Sequence, residues 1–146
     1  MKRYGFMSSL ASFLLLALAA WGGAAKAQSD EDYQAFISKL RAKGATVEDL
    51  SKGGQLPLSN TAYTVKVDGE RVEIYAYTSP EDATADAARI SPSGGTFRYI
   101  GGGRSYSWIA PPHLYKKERL IAFYVGRDVG IITLLEEILG SQFAGL

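Results

Sequence analysis

The spacing of apolar positions changes repeatedly along the chain, and each change marks an element. Between residues 32 and 43, Tyr33, Phe36, Ile37 and Leu40 recur at i, i+3, i+4 and i+7, the period of one helical face. Ser29 or Asp30 stands where it would cap that helix, Glu31 and Asp32 suit the positive end of its dipole, and Gly44 is the expected stop. A short strand is expected over 46–50, then a loop punctuated by Gly53, Gly54 and Pro57.

Residues 63–67 and 72–77 switch to period two. Tyr63, Val65 and Val67 share one side of the first run, and Val72, Ile74 and Ala76 share one side of the second. Asp68-Gly69 between them predicts a tight hairpin, because both central residues must accept positive φ. One face of this hairpin is therefore buried, and the other meets water or a second layer. Ser79-Pro80-Glu81-Asp82 reads as a helix start, with a capping hydroxyl, a first-turn proline and then acids; the helix ends before Pro92.

The stretch 91–105 is glycine-rich and reads as a loop with a short strand at 96–100. A second hairpin is expected from 106–110 and 119–125, joined through Pro111-Pro112-His113 and a polar turn at 116–118. Leu120 to Val125 are apolar without interruption, which suits a central strand. Ile131, Leu134, Leu135, Ile138 and Leu139 form the inner face of a last helix that follows Asp128 and stops at Gly140. The order α-β-β-β-α-β-β-α predicts an α+β fold, an antiparallel sheet of 4–5 strands with helices mainly on one face.

Upstream of these elements the chain carries an export signal. Lys2 and Arg3 precede an apolar run, densest over 10–20, which relaxes into Ala25-x-Ala27 before an acidic stretch begins at Gln28. Small residues at those two alanine positions are what signal peptidase requires, so cleavage is expected between Ala27 and Gln28. The rival reading, a retained anchor over 6–25, would place Ser8, Ser9, Ser12, Gly22 and Gly23 in the bilayer. The compact apolar core and small-residue exit favour cleavage, with no stable membrane insertion afterwards. The chain thus divides into a signal peptide, 1–27, and a single domain, 28–146, expected outside the cytoplasm, in the periplasm or secreted.

Charge and composition narrow the chemistry. The chain has 16 basic and 15 acidic residues, but three of the basic ones lie in the leader, leaving 28–146 at −2. That mixed balance gives no electrostatic footprint for nucleic acid. Cysteine is absent, which excludes thiol catalysis, thiolate metal sites and a lipid-modified N-terminal cysteine. His113 is the only histidine; any Ser-His-Asp arrangement would need it, yet no Gly-x-Ser-x-Gly elbow occurs and Pro111-Pro112 points to an exposed, extended bend. Gly101-Gly102-Gly103-Arg104 invites a phosphate-loop reading, but a helix N-terminus should follow and a strand is expected instead. No catalytic residue, metal ligand or cofactor is assigned.

The aromatic set around residues 97–115 is the remaining candidate. Alternation places Tyr106 and Trp108 on one face, with Arg104 close by in sequence. Such rings serve core packing more often than binding, but if helices cover one sheet face, some must line the other. Trp108, His113, Tyr115, Tyr106 and Arg104 are therefore the candidate binding surface.

From about Phe36 onward the chain resembles a group of small exported bacterial proteins of uncharacterised function. The likeness is carried by FISKLRAKGATVEDL, VKVDGERVEIYAY with its SPEDA helix start, APPHLYKKERLIAFYVG and LLEEILGSQFAG. It implies an extracytoplasmic domain and assigns no residue a role. The similar proteins often look lipoprotein-like, whereas this chain lacks the cysteine for it. The expected function is a non-enzymatic module that binds another extracytoplasmic protein or a small ligand. The alternatives are a carboxylate-dependent hydrolase whose site only the fold assembles, and an envelope accessory or inhibitor protein.

Overall fold

A computed structural model describes residues 18–58 and 61–146. Lys2, Arg3 and most of the apolar run expected to belong to a signal peptide lie outside the described residues.

The chain folds as α+β around an antiparallel sheet. Its elements are α1 (Leu18–Ala42), β1 (Val47–Lys52), β2 (Thr61–Val67), β3 (Glu70–Ala76), α2 (Pro80–Ala87), β4 (Thr96–Tyr99), β5 (Gly102–Ser105), β6 (Pro112–Lys117), β7 (Leu120–Val125), α3 (Val129–Leu139) and β8 (Ala144–Gly145). The main sheet has six strands in the order β1-β2-β3-β7-β6-β8, and β4 and β5 pair separately as a two-stranded ribbon. The β2–β3 hairpin closes as expected on Asp68 (φ 49°) and Gly69 (φ 89°). β7 lies between β3 and β6, the central place its unbroken apolar run called for.

Strand alternation gives the sheet two buried faces. On one, Val65, Val67, Val72, Ile74, Ala122 and Tyr124 pack against Tyr33, Phe36, Ile37 and Leu40 of α1 and Ile131, Leu135, Ile138 and Leu139 of α3. Burying an aliphatic or Phe side chain fully contributes about 1.5–3 kcal/mol, so these two helical stripes are a major source of stability. On the other face, Ala62, Tyr75, Tyr77, Leu114, Ile121 and Phe123 are covered by Ala83 of α2, Ile90, Phe97 of the ribbon and Leu56. Two helices thus share one face, while α2, the ribbon and loops close the other.

α2 and α3 begin as their sequences dictate. Ser79 accepts from the Asp82 N–H at 3.1 Å, and Asp128 accepts from the Ile131 N–H at 3.1 Å. Gly140 ends α3 with φ 89°.

Three expectations are corrected. α1 is not capped at Ser29 or Asp30; it continues upstream to Leu18 through an alanine-rich stretch of high helix propensity. Ser29 instead donates to the Lys26 carbonyl at 2.8 Å, and Asp30 accepts from the Tyr63 hydroxyl. Residues 106–110 form no strand; the strand paired with β7 begins at Pro112, where a missing N–H costs nothing, and turns at Glu118 (φ 50°). The glycine-rich stretch 101–105 supplies a true strand, β5, and with the short β8 at the far edge the main sheet reaches six strands instead of four or five.

Candidate functional site

The five candidate residues do not form one surface. His113 and Tyr115 alternate with Leu114 on β6 and point to the helix-covered face; both are buried. His113 stacks on Tyr124 with ring centroids 5.8 Å apart. Its Nε2 lies 3.1 Å from the Gly126 carbonyl and its Nδ1 2.8 Å from the Gln142 amide. The backbone carbonyl can only accept, so Nε2 donates to it, while Nδ1 faces the side-chain oxygen of Gln142. The exposed bend expected from Pro111-Pro112 is instead a buried strand start, because Pro112 opens β6. His113 pins the C-terminal segment to β6 and β7. Tyr115 is enclosed, its hydroxyl has no hydrogen-bond partner among the described residues, and burial pushes its pKa up to about 12.

Tyr106 and Trp108 lie across the sheet from them. They stack in parallel, with centroids 4.8 Å apart and planes 1° from coplanar. Phe97 meets Tyr106 edge-on at 5.4 Å, and Phe123 of β7 meets Trp108 at 5.1 Å, so four rings run from the ribbon to the central strand. The Trp108 Nε1–H donates to the Gly94 carbonyl at 2.9 Å. These rings had no cross-strand partner to pair with; they fix the 106–110 loop by lying down on the sheet. Arg104 is exposed on β5, beside the Tyr106 hydroxyl.

Tyr106 and Trp108 form one wall of an open groove of about 440 Å³. Ser107 and the almost wholly exposed Ile109 (98%) continue that wall, Phe123 and Val125 form the floor, and Gln55, Arg71 and Glu73 make the opposite wall. A second hollow, between α1 and the β6–β7 turn, holds only about 110 Å³ and is spanned by an Arg119–Asp32 ion pair at 2.6 Å. A wider depression between α1 and α3 is shallow and has no aromatic lining.

The opposite wall was not legible in the sequence. Glu73 is 1% exposed and belongs to β3, where it faces away from α1 and α3. Its Oε2 accepts from the Gln55 N–H (2.8 Å) and the Tyr75 hydroxyl (2.7 Å), and its Oε1 from Gln55 Nε2 (2.9 Å) and Arg71 Nη2 (3.2 Å). A buried carboxylate needs such a donor set, and four donors satisfy it. Tyr75 also accepts from the Leu56 N–H at 2.9 Å; burial, and then Glu73, drive its hydroxyl pKa far above the ordinary tyrosine value. The network ties the 53–56 loop to the sheet and so sets the groove's width. Arg71 spends one nitrogen on Glu73 but leaves its side chain 54% exposed at the groove. The only sequence signal was a Glu in the middle of an apolar strand pattern.

Chemically, the groove offers apolar ring surface, one half-exposed guanidinium and an amide. Its single carboxylate is already committed to four donors. No family model, no curated protein and no solved structure matches this chain.

Proposed function

We propose that this chain is an exported, non-enzymatic binding module whose groove accepts a small, largely apolar ligand carrying one anionic group. One observation carries the reading: ring faces and aliphatic side chains line an open cleft where Arg71 is the available charge, while Glu73 is saturated by its own neighbours. Ligand sites combine apolar walls with a few placed polar groups in this manner. A hydrolytic carboxylate pair needs a second acid converging on the first, and the lining residues supply none.

Export rests on the leader pattern, and the contacts of α1 support it. α1 holds to the sheet through Asp30 to Tyr63, Asp32 to Arg119, and Tyr33 stacked on Tyr63 at 3.9 Å. Cleavage behind Ala27 removes none of these contacts. The native protein should therefore weigh as a chain starting at Gln28.

Trp108 is the only tryptophan of residues 28–146, since Trp21 lies in the leader, so intrinsic fluorescence reports on the groove directly. Octanoate is a suitable probe, with octanol as its uncharged counterpart. Octanoate should produce a saturable change in Trp108 emission, and binding should be at least tenfold weaker with octanol or in Arg71→Ala. Equal responses to both probes, or none, would reject the anion-selective groove.

A further inference from the structure

We propose that the tip of the β4–β5 ribbon is a peripheral docking site for an anionic phospholipid surface. This is independent of what the groove holds. The base of the ribbon is fixed: Phe97 is buried against Tyr106, Ile90 bridges to Phe97, and the Arg98 N–H donates to the Arg89 carbonyl at 2.9 Å. The tip projects from this base. Tyr99 pairs with Gly102 across the ribbon, and Ile100 and Gly101 form the turn, Gly101 with φ 89°.

The tip exposes what a soluble hairpin usually hides. Ile100 is 96% exposed at the apex and Tyr99 is 49% exposed beside it. The Tyr99 ring lies across Gly102, where a Cβ would touch ring carbons at 3.5 and 3.7 Å. The ring is thereby held near the apex. Arg98 is opposite Gly103 and Arg104 opposite Phe97, so the register sends the two guanidinium groups to opposite faces of the ribbon. Both are exposed, and neither forms an ion pair among the described residues.

Charge complementarity selects the occupant. Residues 89–104, the ribbon with its approach, contain three arginines and no acidic residue, although the chain from Gln28 is net negative; Arg89 is paired to Asp86, which leaves Arg98 and Arg104 as the cations of the tip. At about 3.4 Å per residue, Arg98 and Arg104 sit roughly 7–10 Å behind the apex. An aliphatic apex entering the acyl boundary, a tyrosine at headgroup depth and cations at the phosphates match the layering of a bilayer interface. One apex side chain with two cations gives weak, reversible, salt-sensitive attachment, not insertion. Among the described residues no helix is long and apolar enough to cross a membrane, so this contact is peripheral.

The test is co-sedimentation of residues 28–146 with vesicles of phosphatidylcholine alone or mixed equally with phosphatidylglycerol. Binding should rise at least fivefold with phosphatidylglycerol and fall at least fivefold when NaCl goes from 50 to 500 mM. Ile100→Asp and Arg98→Glu/Arg104→Glu should each lower it at least fivefold. All three positions are exposed, and an unchanged circular dichroism spectrum confirms that each variant is folded. A Tyr99→Trp variant should be quenched by brominated phosphatidylglycerol. Binding that ignores lipid charge, binding that persists in the variants, or no binding with the tip instead mediating association of the protein with itself would each overturn the proposal.

Discussion

The Tyr75 hydroxyl donates to the Glu73 carboxylate at 2.7 Å from the same face of β3, and both are buried. This pair is the post to which the 53–56 loop is tied, because Gln55 and Leu56 each give a backbone N–H to it. Removing the negative charge leaves donors without a proper acceptor. Glu73→Gln should lower unfolding free energy by about 2–3 kcal/mol in urea denaturation, in line with unpaired buried hydrogen-bonding groups. Weaker octanoate binding should accompany the loss, since the groove wall loosens.

Gly54 is required by the same post. A Cβ there would stand 2.3 Å from the Tyr75 hydroxyl oxygen and 3.0 Å from the Ala62 Cβ. Gly54→Ala should cost about 1–3 kcal/mol as overpacking. Combining it with Tyr75→Phe removes the nearest atom, so the double variant should be more stable than the two single losses summed. A four-variant thermodynamic cycle checks this; the ring carbon at 2.7 Å remains in both backgrounds, so strict additivity would show that the hydroxyl adds nothing to the collision.

Tyr115 gives the opposite expectation. Its hydroxyl is enclosed without a hydrogen-bond partner among the described residues. Tyr115→Phe deletes that oxygen and little else, so stability should be unchanged or higher by up to about 1 kcal/mol. A thermal melt that drops by several degrees would mean the hydroxyl is paired in solution.

Alkaline pH should unfold the protein through its tyrosines. Tyr63 is pushed up to about 12 by burial and by its hydrogen bond to Asp30, and burial takes Tyr115 to about 12 as well. A tyrosine in the unfolded chain titrates near 10, so the folded state holds these protons more tightly. The stability they confer is complete below about pH 10 and is lost as pH rises from 10 towards 12. Phenolate absorbance at 295 nm should therefore appear in step with the loss of near-ultraviolet circular dichroism. Early titration of Tyr63 and Tyr115 in a still-folded protein would contradict their burial.

The helix-covered half of the molecule was legible in the sequence because local signals there agree with tertiary demands. Tyr33, Phe36, Ile37 and Leu40 keep helical period, Asp68-Gly69 forces a hairpin, and Asp128 and Gly140 bracket α3. The groove half was less legible because non-local contacts decide it. Tyr106 and Trp108 alternate like a strand, but their rings find Phe97 and Phe123, and the backbone leaves the ladder to allow this. Pro112 and His113 look like a bend until β7 supplies a partner strand. Trp108 and Tyr106 stack on each other, whereas Tyr115 and His113 lie on the far face through the parity of β6. Glu73, Arg71 and Gln55 come from separate segments, so no motif could announce them.

Binding in the groove is tested most directly by chemical-shift mapping of the isotopically labelled chain from Gln28 with octanoate. Saturable shifts confined to Gln55, Arg71, residues 106–109 and the end of β7 are expected, with the Trp108 indole among the largest. Shifts centred on the face of α1 and α3, or no saturable shift at all, would contradict it.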